Sequence, residues 1–225
     1  MKISVIVPAF NEERLLPESL SRIRAAMQAV TDAGWASELI VCDNNSTDRT
    51  AEIARARNAG AACASGDWLL FVDADSYPDI GLFREVVDVI RQGRCVAGGA
   101  TVRVDTSNLV ARSVVAWWNA TSRLAKWAAG SFIFCEAETF RRVGGFDEEW
   151  FAAEEIDLFR RFKQLARARG RTITILHRHP LLTSARKLHL YDRRELLPFM
   201  VKTLVSRGRN LRSADGCFAW YDGRR

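Results

Sequence analysis

The chain has 225 residues, 48% hydrophobic and 27% charged, with 33 Lys and Arg against 27 Asp and Glu for a formal charge of +6. That profile excludes a disordered or polytopic membrane chain and suits one soluble domain with a sizeable core. The modest basic surplus fits either an anionic partner or a solvated basic surface, and on its own it makes no case for nucleic acid.

The opening MKISVIVPAF reads as a first strand rather than a signal peptide. Its apolar run, residues 3–7, is mostly β-branched and stops at Pro8, the signature of a strand buried on both faces. Leu16, Leu20, Ile23, Met27 and Val30 recur at helical spacing and predict a helix ending near Gly34. A second apolar run, Leu39 to Cys42, stops at Asp43-Asn44-Asn45-Ser46. Thr47 or Asp48 is placed to cap a helix that buries Ile53. Trp68 to Val72 is the third strand, ending in Asp73, and Pro78-Asp79 opens a helix with Leu82, Phe83, Val86, Val87 and Ile90 inward. Residues 95–104 predict a strand in which Gly98-Gly99 marks a bulge or a close approach. A helix is expected over 108–128, a short strand over 131–135, a helix over 153–169 and a strand over 172–176. The Arg- and Lys-rich tail from 178 contains one more helical stretch near 194–206.

Alternating strands and helices predict an α/β fold with a mainly parallel sheet and right-handed crossovers. No internal repeat or linker divides the chain. The expected organisation is one domain over 1–178, with a nucleotide-binding half (1–104) and an acceptor half (105–178). Residues 179–225 are an extension packed on it. Five scattered cysteines (Cys42, Cys63, Cys95, Cys135, Cys217) lack CxxC spacing, which fits a reducing cytoplasm better than a disulfide framework. No window approaches the ~18 uncharged apolar residues of a spanning helix. The expected location is cytoplasmic, with attachment to the cytoplasmic face of a membrane left open.

Ligands of open α/β sheets sit beyond the carboxyl ends of the strands. Three polar clusters fall there: Pro8-Ala9-Phe10-Asn11-Glu12, Asp43-Asn44-Asn45-Ser46 and Asp73-Ala74-Asp75. Two carboxylates at the end of a buried strand repel unless a cation lies beside them. Mg²⁺ or Mn²⁺ would take Asp73 and Asp75 as oxygen ligands and complete its shell with phosphate and water. The alternative for an isolated DxD is a turn and a cap before Pro78. A second acidic group, Glu154-Glu155-Ile156-Asp157, offers a base for an acceptor hydroxyl. Alternatively, it complements the dipole at the start of a helix.

The stretches VIVPAFNEE, VCDNNSTD, Arg57-Asn58-Ala59-Gly60, GDWLLFVDADSYP and GGFDEEWFAAEEIDL occur in an order that resembles the family 2 glycosyltransferases of GT-A fold. The resemblance implies a GT-A, Rossmann-like domain that moves a sugar from a nucleotide-diphosphate donor to an acceptor, with inversion and with Mn²⁺ or Mg²⁺. It implies that Pro8, Phe10 and Glu12 border the nucleoside, that Asp43 bonds the base and that Arg57 lies near the nucleotide. Asp73 would meet the ribose or metal, and Asp75 would ligate the metal. Glu155 takes the base position, with Glu154 its rival. The chain departs from the family pattern where Glu52-Ile53-Ala54 runs almost directly into Arg55-Ala56-Arg57-Asn58, about a dozen residues short of a strand and its turns.

In the tail, His177, Arg186 and Lys187 are candidates for a diphosphate or metal, against a solvated basic loop. Trp117 and Trp118 are candidates for an acceptor sugar or lipid, against core packing. The acceptor, whether glycan, lipid-linked or small molecule, stays open, as does a homodimer. A DxD phosphatase needs a downstream Lys and an acidic metal motif that are not evident. A dinucleotide enzyme would need GxGxxG after the first strand. A catalytically degenerate nucleotide-sugar-binding module is the remaining alternative.

Overall fold

The computed structural model describes residues 1–9, 12, 14–43, 52–148 and 154–184. In chain order these form β1 (Lys2–Ala9), α1 (Leu16–Asp32), β2 (Ala36–Asp43), α2 (Glu52–Cys63), β3 (Trp68–Val72), β4 (Ser76–Tyr77), α3 (Ile80–Arg91), β5 (Cys95–Val104), α4 (Leu109–Ala125), β6 (Phe132–Glu136), α5 (Ala137–Arg142), α6 (Glu154–Ala168) and β7 (Thr172–Thr183). The strands make one sheet in the order β2-β1-β3-β6-β5-β7-β4. β2, β1 and β3 are mutually parallel, as are β5 and β7, whereas β6 and the two-residue β4 run the other way. Five of the seven strands therefore share a direction, the mainly parallel sheet that the sequence predicts.

The apolar runs are continuous because both sheet faces are covered. Alternate residues divide cleanly: Val5, Val7, Trp68, Leu70, Val72, Phe132 and Phe134 pack with α1 and α3. Ile6, Leu69, Phe71, Ile133 and Cys135 pack with the apolar sides of α5 and α6. α3 starts where expected, with the Asp79 carboxylate accepting from the Leu82 amide at 2.8 Å, the usual solution for an orphan amide in a first turn.

Three details refine the sequence-based expectation. First, Gly98-Gly99 is a close approach: a Cβ at Gly98 would overlap the Thr174 carbonyl and the Phe134 ring. Second, Arg57-Asn58-Ala59-Gly60 lies inside α2, not after it. Among the described residues no strand lies between β2 and β3 in chain order, and both pair directly with β1. Third, β7 runs on to Thr183, through the expected boundary at 178, because Leu181, Leu182 and Thr183 resume pairing with β5 after an interruption at 177–180. β4 and α5, of two and six residues, are too short to carry a periodic signal. The stretch near 194–206 lies outside the described residues.

The backbone contact at Gly98 gives a direct expectation. Gly98→Ala must push β7 and Phe134 aside and should cost about 1–3 kcal/mol, read as a lower urea midpoint with an unchanged m-value.

Candidate active site

Because β1, β2 and β3 are parallel, their carboxyl ends share one rim. Pro8 and Ala9 pair with Cys42 and Asp43, and β3 delivers Asp73 one residue past its end. The Ser184 amide donates to the Asp75 carbonyl at 3.2 Å, so β7 also finishes at the acidic pair. The Asp73 amide donates to the Ser131 carbonyl at 3.2 Å, which ties this rim to the entry of β6.

Arg57 organises the rim. It projects from α2 with a side chain only 3% exposed. Its Nη2 donates to Asp73 Oδ1 at 2.7 Å and to the Gly130 carbonyl at 2.9 Å, and its Nη1 donates to Glu154 Oε1 at 2.7 Å. The guanidinium also lies 5.1 Å from the centroid of the Phe146 ring, within cation–π range. Burial works against its charge, but Asp73 and then Glu154 outweigh that and hold its pKa above the ordinary arginine value. The DxD and the first turn of α6, remote in sequence, are thus joined through one planar fork.

Glu155 lies against this cluster. A Cβ at Gly130 would sit 3.5 Å from both Arg57 Nη2 and Glu155 Cδ. Burial first, then repulsion from Glu154 and Asp73, push the Glu155 pKa up from 4.5 to about 8, although Arg57 and a backbone hydrogen bond pull the other way. Two neighbouring carboxyls in one low-dielectric site seldom ionise together, so the environment separates their roles.

The next residue on α2, Asn58, fixes the segment leading to α6. Its amide nitrogen donates to the Phe146 carbonyl at 2.9 Å and to Glu148 Oε1 at 3.0 Å, while its oxygen accepts from the Phe146 amide at 3.0 Å. Gly144 and Gly145 turn the chain there with φ of +83° and +71°, a conformation that glycine adopts at little cost. Asp157 pairs with Arg161 at 2.8 Å, and Arg161 also donates to the Val143 and Gly145 carbonyls. Asp157 therefore braces the same turn. Sequence inspection assigned no role to Asn58, Gly130 or Phe146. The Gly-Gly pair and the Arg-Asn step were their visible traces.

The other candidates are distributed as follows. Pro8 is buried at the end of β1, and the Glu12 carbonyl accepts from the Leu15 and Leu16 amides at the start of α1. Asp75 is 7% exposed beside Asp73. Asp43 ends β2, its side chain outside the described residues, as are Phe10, Arg186 and Lys187. His177 is exposed in β7 at the interruption opposite β5. Trp118 is half-buried on α4, whereas Trp117 is 57% exposed.

Among the described residues, no group of three His, Cys, Asp or Glu side chains stands in metal-binding array. Mg²⁺ and Mn²⁺ at phosphate-transfer sites use one or two carboxylates and take the remaining oxygens from substrate and water. The adjacent hard donors Asp73 and Asp75 fit that kind of site, with one Asp73 oxygen already committed to Arg57.

Comparison with known proteins accords with this arrangement. The model of "Glycosyl transferase family 2" matches residues 4–56 and 52–150, two stretches that meet within α2, where the sequence is short of the family pattern. A dolichol-phosphate mannosyltransferase of Pyrococcus furiosus is 31% identical over 121 residues, 44% of this chain and 33% of the relative. An undecaprenyl-phosphate 4-deoxy-4-formamido-L-arabinose transferase of Pseudomonas aeruginosa is 30% identical over 149 residues, 56% of this chain and 41% of the relative. The chain thus spans well under half the length of these two relatives. The mannosyltransferase PcManGT of Pyrobaculum calidifontis, solved with GDP-Man and Mn²⁺, superposes with a TM-score of 0.62 at 17% identity, covering 93% of this chain and 62% of that one. S. aureus TarS 1-349, solved with UDP-GlcNAc, gives 0.61 at 19% identity, covering 92% and 66%. The fold is the expected GT-A fold, and the chain belongs to glycosyl transferase family 2.

Proposed function

We propose that this chain transfers a sugar from a nucleotide-diphosphate donor to an acceptor hydroxyl, with inversion at the anomeric carbon and with Mn²⁺ or Mg²⁺. The observation that carries this is the Arg57 bridge, which ties Asp73 of the DxD to Glu154, the neighbour of the high-pKa Glu155. The structures of GT-A neighbours solved with UDP-GlcNAc and with GDP-Man and Mn²⁺ support a donor and cation of these classes.

Asp75 and the remaining oxygen of Asp73 would hold the cation. When bound, that ion supplies Lewis-acid neutralisation of the departing diphosphate. Arg57 holds Asp73 and Glu154 in place, and Glu155 is the base. In its ionised form, whose population grows as the pH approaches 8, it accepts the acceptor's O–H proton as that oxygen attacks the anomeric carbon from the side opposite the diphosphate. The C–O bond to the diphosphate breaks, and its electron pair leaves with the phosphate oxygen. Glu154, paired with Arg57, is less able to collect that proton. The names of two relatives point to polyprenyl phosphates. A phosphate acceptor is already ionised and needs no base, so a role for Glu155 as base goes with a hydroxyl nucleophile. Arg186 and Lys187 would reinforce the phosphate side of the donor from the extension that follows β7. The four described free cysteines accord with a cytoplasmic setting. No helix of the described residues is long and apolar enough to cross a membrane.

Calorimetric titration with UDP- and GDP-sugars, with and without Mn²⁺, followed by assay of nucleotide release, tests the proposal. Asp75→Ala should weaken Mn²⁺-dependent donor binding at least about tenfold and abolish turnover. Glu155→Gln should bind donor normally while losing about 10²–10⁴ in kcat. An active Glu155→Gln beside a dead Glu154→Gln would move the base to Glu154. Metal-dependent binding with no turnover of any donor would mark a binding module instead.

The raised pKa also has a sign in stability. An unfolded glutamate ionises near 4.5 while the folded Glu155 keeps its proton to about 8, so its stabilising contribution is complete below 4.5 and lost as pH climbs to 8. Thermal melts should show a wild-type decline across that window that is shallower in Glu155→Gln.

A further inference from the structure

Helix α4 faces the wrong way for a core helix. Ser122 is fully buried, and the Asn119 side chain bonds both the amide (3.0 Å) and the carbonyl (2.8 Å) of Val102, which clamps the helix to β5. With that inner side fixed, Leu109, Val114, Trp117 and Leu124 point outward at 73, 42, 57 and 87% exposure. They are four of the six large hydrophobic residues exposed among the described residues. At about 100° per residue they fall, with Ala116 and Ala120, in one arc of roughly 160° that holds no charged residue. The Ser113 hydroxyl in that arc donates back to the Leu109 carbonyl at 2.9 Å.

Charge decides what covers this face. No Asp or Glu occurs between Asp105 and Glu136, while Arg112 and Arg123 line one flank of the apolar arc and the exposed Lys126 follows the helix end. A symmetric contact with a second copy would set these cations against their own images with no acid to pair them. The chain's own extension is a poor cover as well, since residues 185–225 carry ten Arg and Lys against four Asp and Glu. A surface that is apolar below and negative above meets both requirements.

We propose that α4 docks this protein onto an anionic lipid surface, inserting Leu109, Val114, Trp117 and Leu124 at the acyl boundary while Arg112, Arg123 and Lys126 meet the headgroups. The proposal stands independently of the catalytic reading, although it has a consequence for it. α4 leads directly into Gly130 and Ser131 at the rim that Arg57 and Asp73 occupy, so a docked helix would open that rim toward the membrane.

Co-sedimentation of the full chain with vesicles tests this without any assay of transfer. Wild type should pellet with phosphatidylcholine vesicles containing about one-third phosphatidylglycerol, pellet weakly with phosphatidylcholine alone, and be released by salt. The double variant Trp117→Glu, Leu124→Glu should lose at least about fivefold of the bound fraction with an unchanged thermal melt, since both sites are exposed. The charge-reversal variant Arg112→Glu, Arg123→Glu should lose the preference for anionic vesicles. Equal pelleting of wild type and the apolar variant, or no pelleting of wild type, would overturn the proposal. So would a vesicle-free wild-type dimer in sedimentation equilibrium that the apolar variant dissociates, which would make the face a contact between copies.

Discussion

A single buried guanidinium holds the two chemical halves of this molecule together. Asp73 reaches the rim from β3 and Glu154 from α6, 81 positions later in the chain, and nothing in local structure brings them close. Arg57 does so, with hydrogen bonds of 2.7 Å to each. One buried guanidinium between two partly buried carboxylates is a heavy desolvation load, tolerable because the fork geometry satisfies both carboxylates at once and Gly130 accepts a further bond. One cation facing two carboxylates leaves the rim net negative, which suits a divalent ion, and burial together with repulsion from Glu154 and Asp73 pushes the neighbouring Glu155 pKa up to about 8.

The fold serves this junction by bringing backbone close where side chains would intrude. Gly60 sets α2 against Ile6 and Cys42, so the helix carrying Arg57 and Asn58 lies tight on β1 and β2. Gly98 and Gly99 let β5 close on β6 and β7. Asn58, Arg161 and the positive-φ pair Gly144-Gly145 then fix the turn into α6, so Glu154 and Glu155 arrive at the rim from a braced helix rather than a loose loop. Phe146 completes the bracing, with its ring edge-on to Phe71 at 5.2 Å beneath the guanidinium.

Much of this was legible in the residues. The apolar runs ending in Pro8, Asp43 and Asp73 identified three parallel strands with their polar ends on one rim, because period and stop signals are local properties. The five ordered motifs pointed to family and fold together. What could not be read was which polar side chain would face which. Arg57 is expected near the nucleotide, but its bridge from Asp73 to Glu154 depends on the sequence-remote approach of α2, β3 and α6. The extent of β7 was hidden by the His177-Arg178-His179-Pro180 interruption, which breaks the apolar pattern although pairing with β5 resumes at Leu181. Trp117 looked like core because it sits at helical spacing with other apolar residues. Periodicity shows that a helix has an apolar face, but not that the face turns inward.

The central claim is that Arg57 couples the DxD to the acidic turn of α6, and a pair of double-mutant cycles measures it most directly. Urea unfolding of Arg57→Met combined in turn with Asp73→Asn and with Glu154→Gln should give coupling energies of about 1–3 kcal/mol in both cycles. Single and double variants that add to within about 0.5 kcal/mol in both cycles would show that the bridge does not join the two halves, and the account built on it would fail.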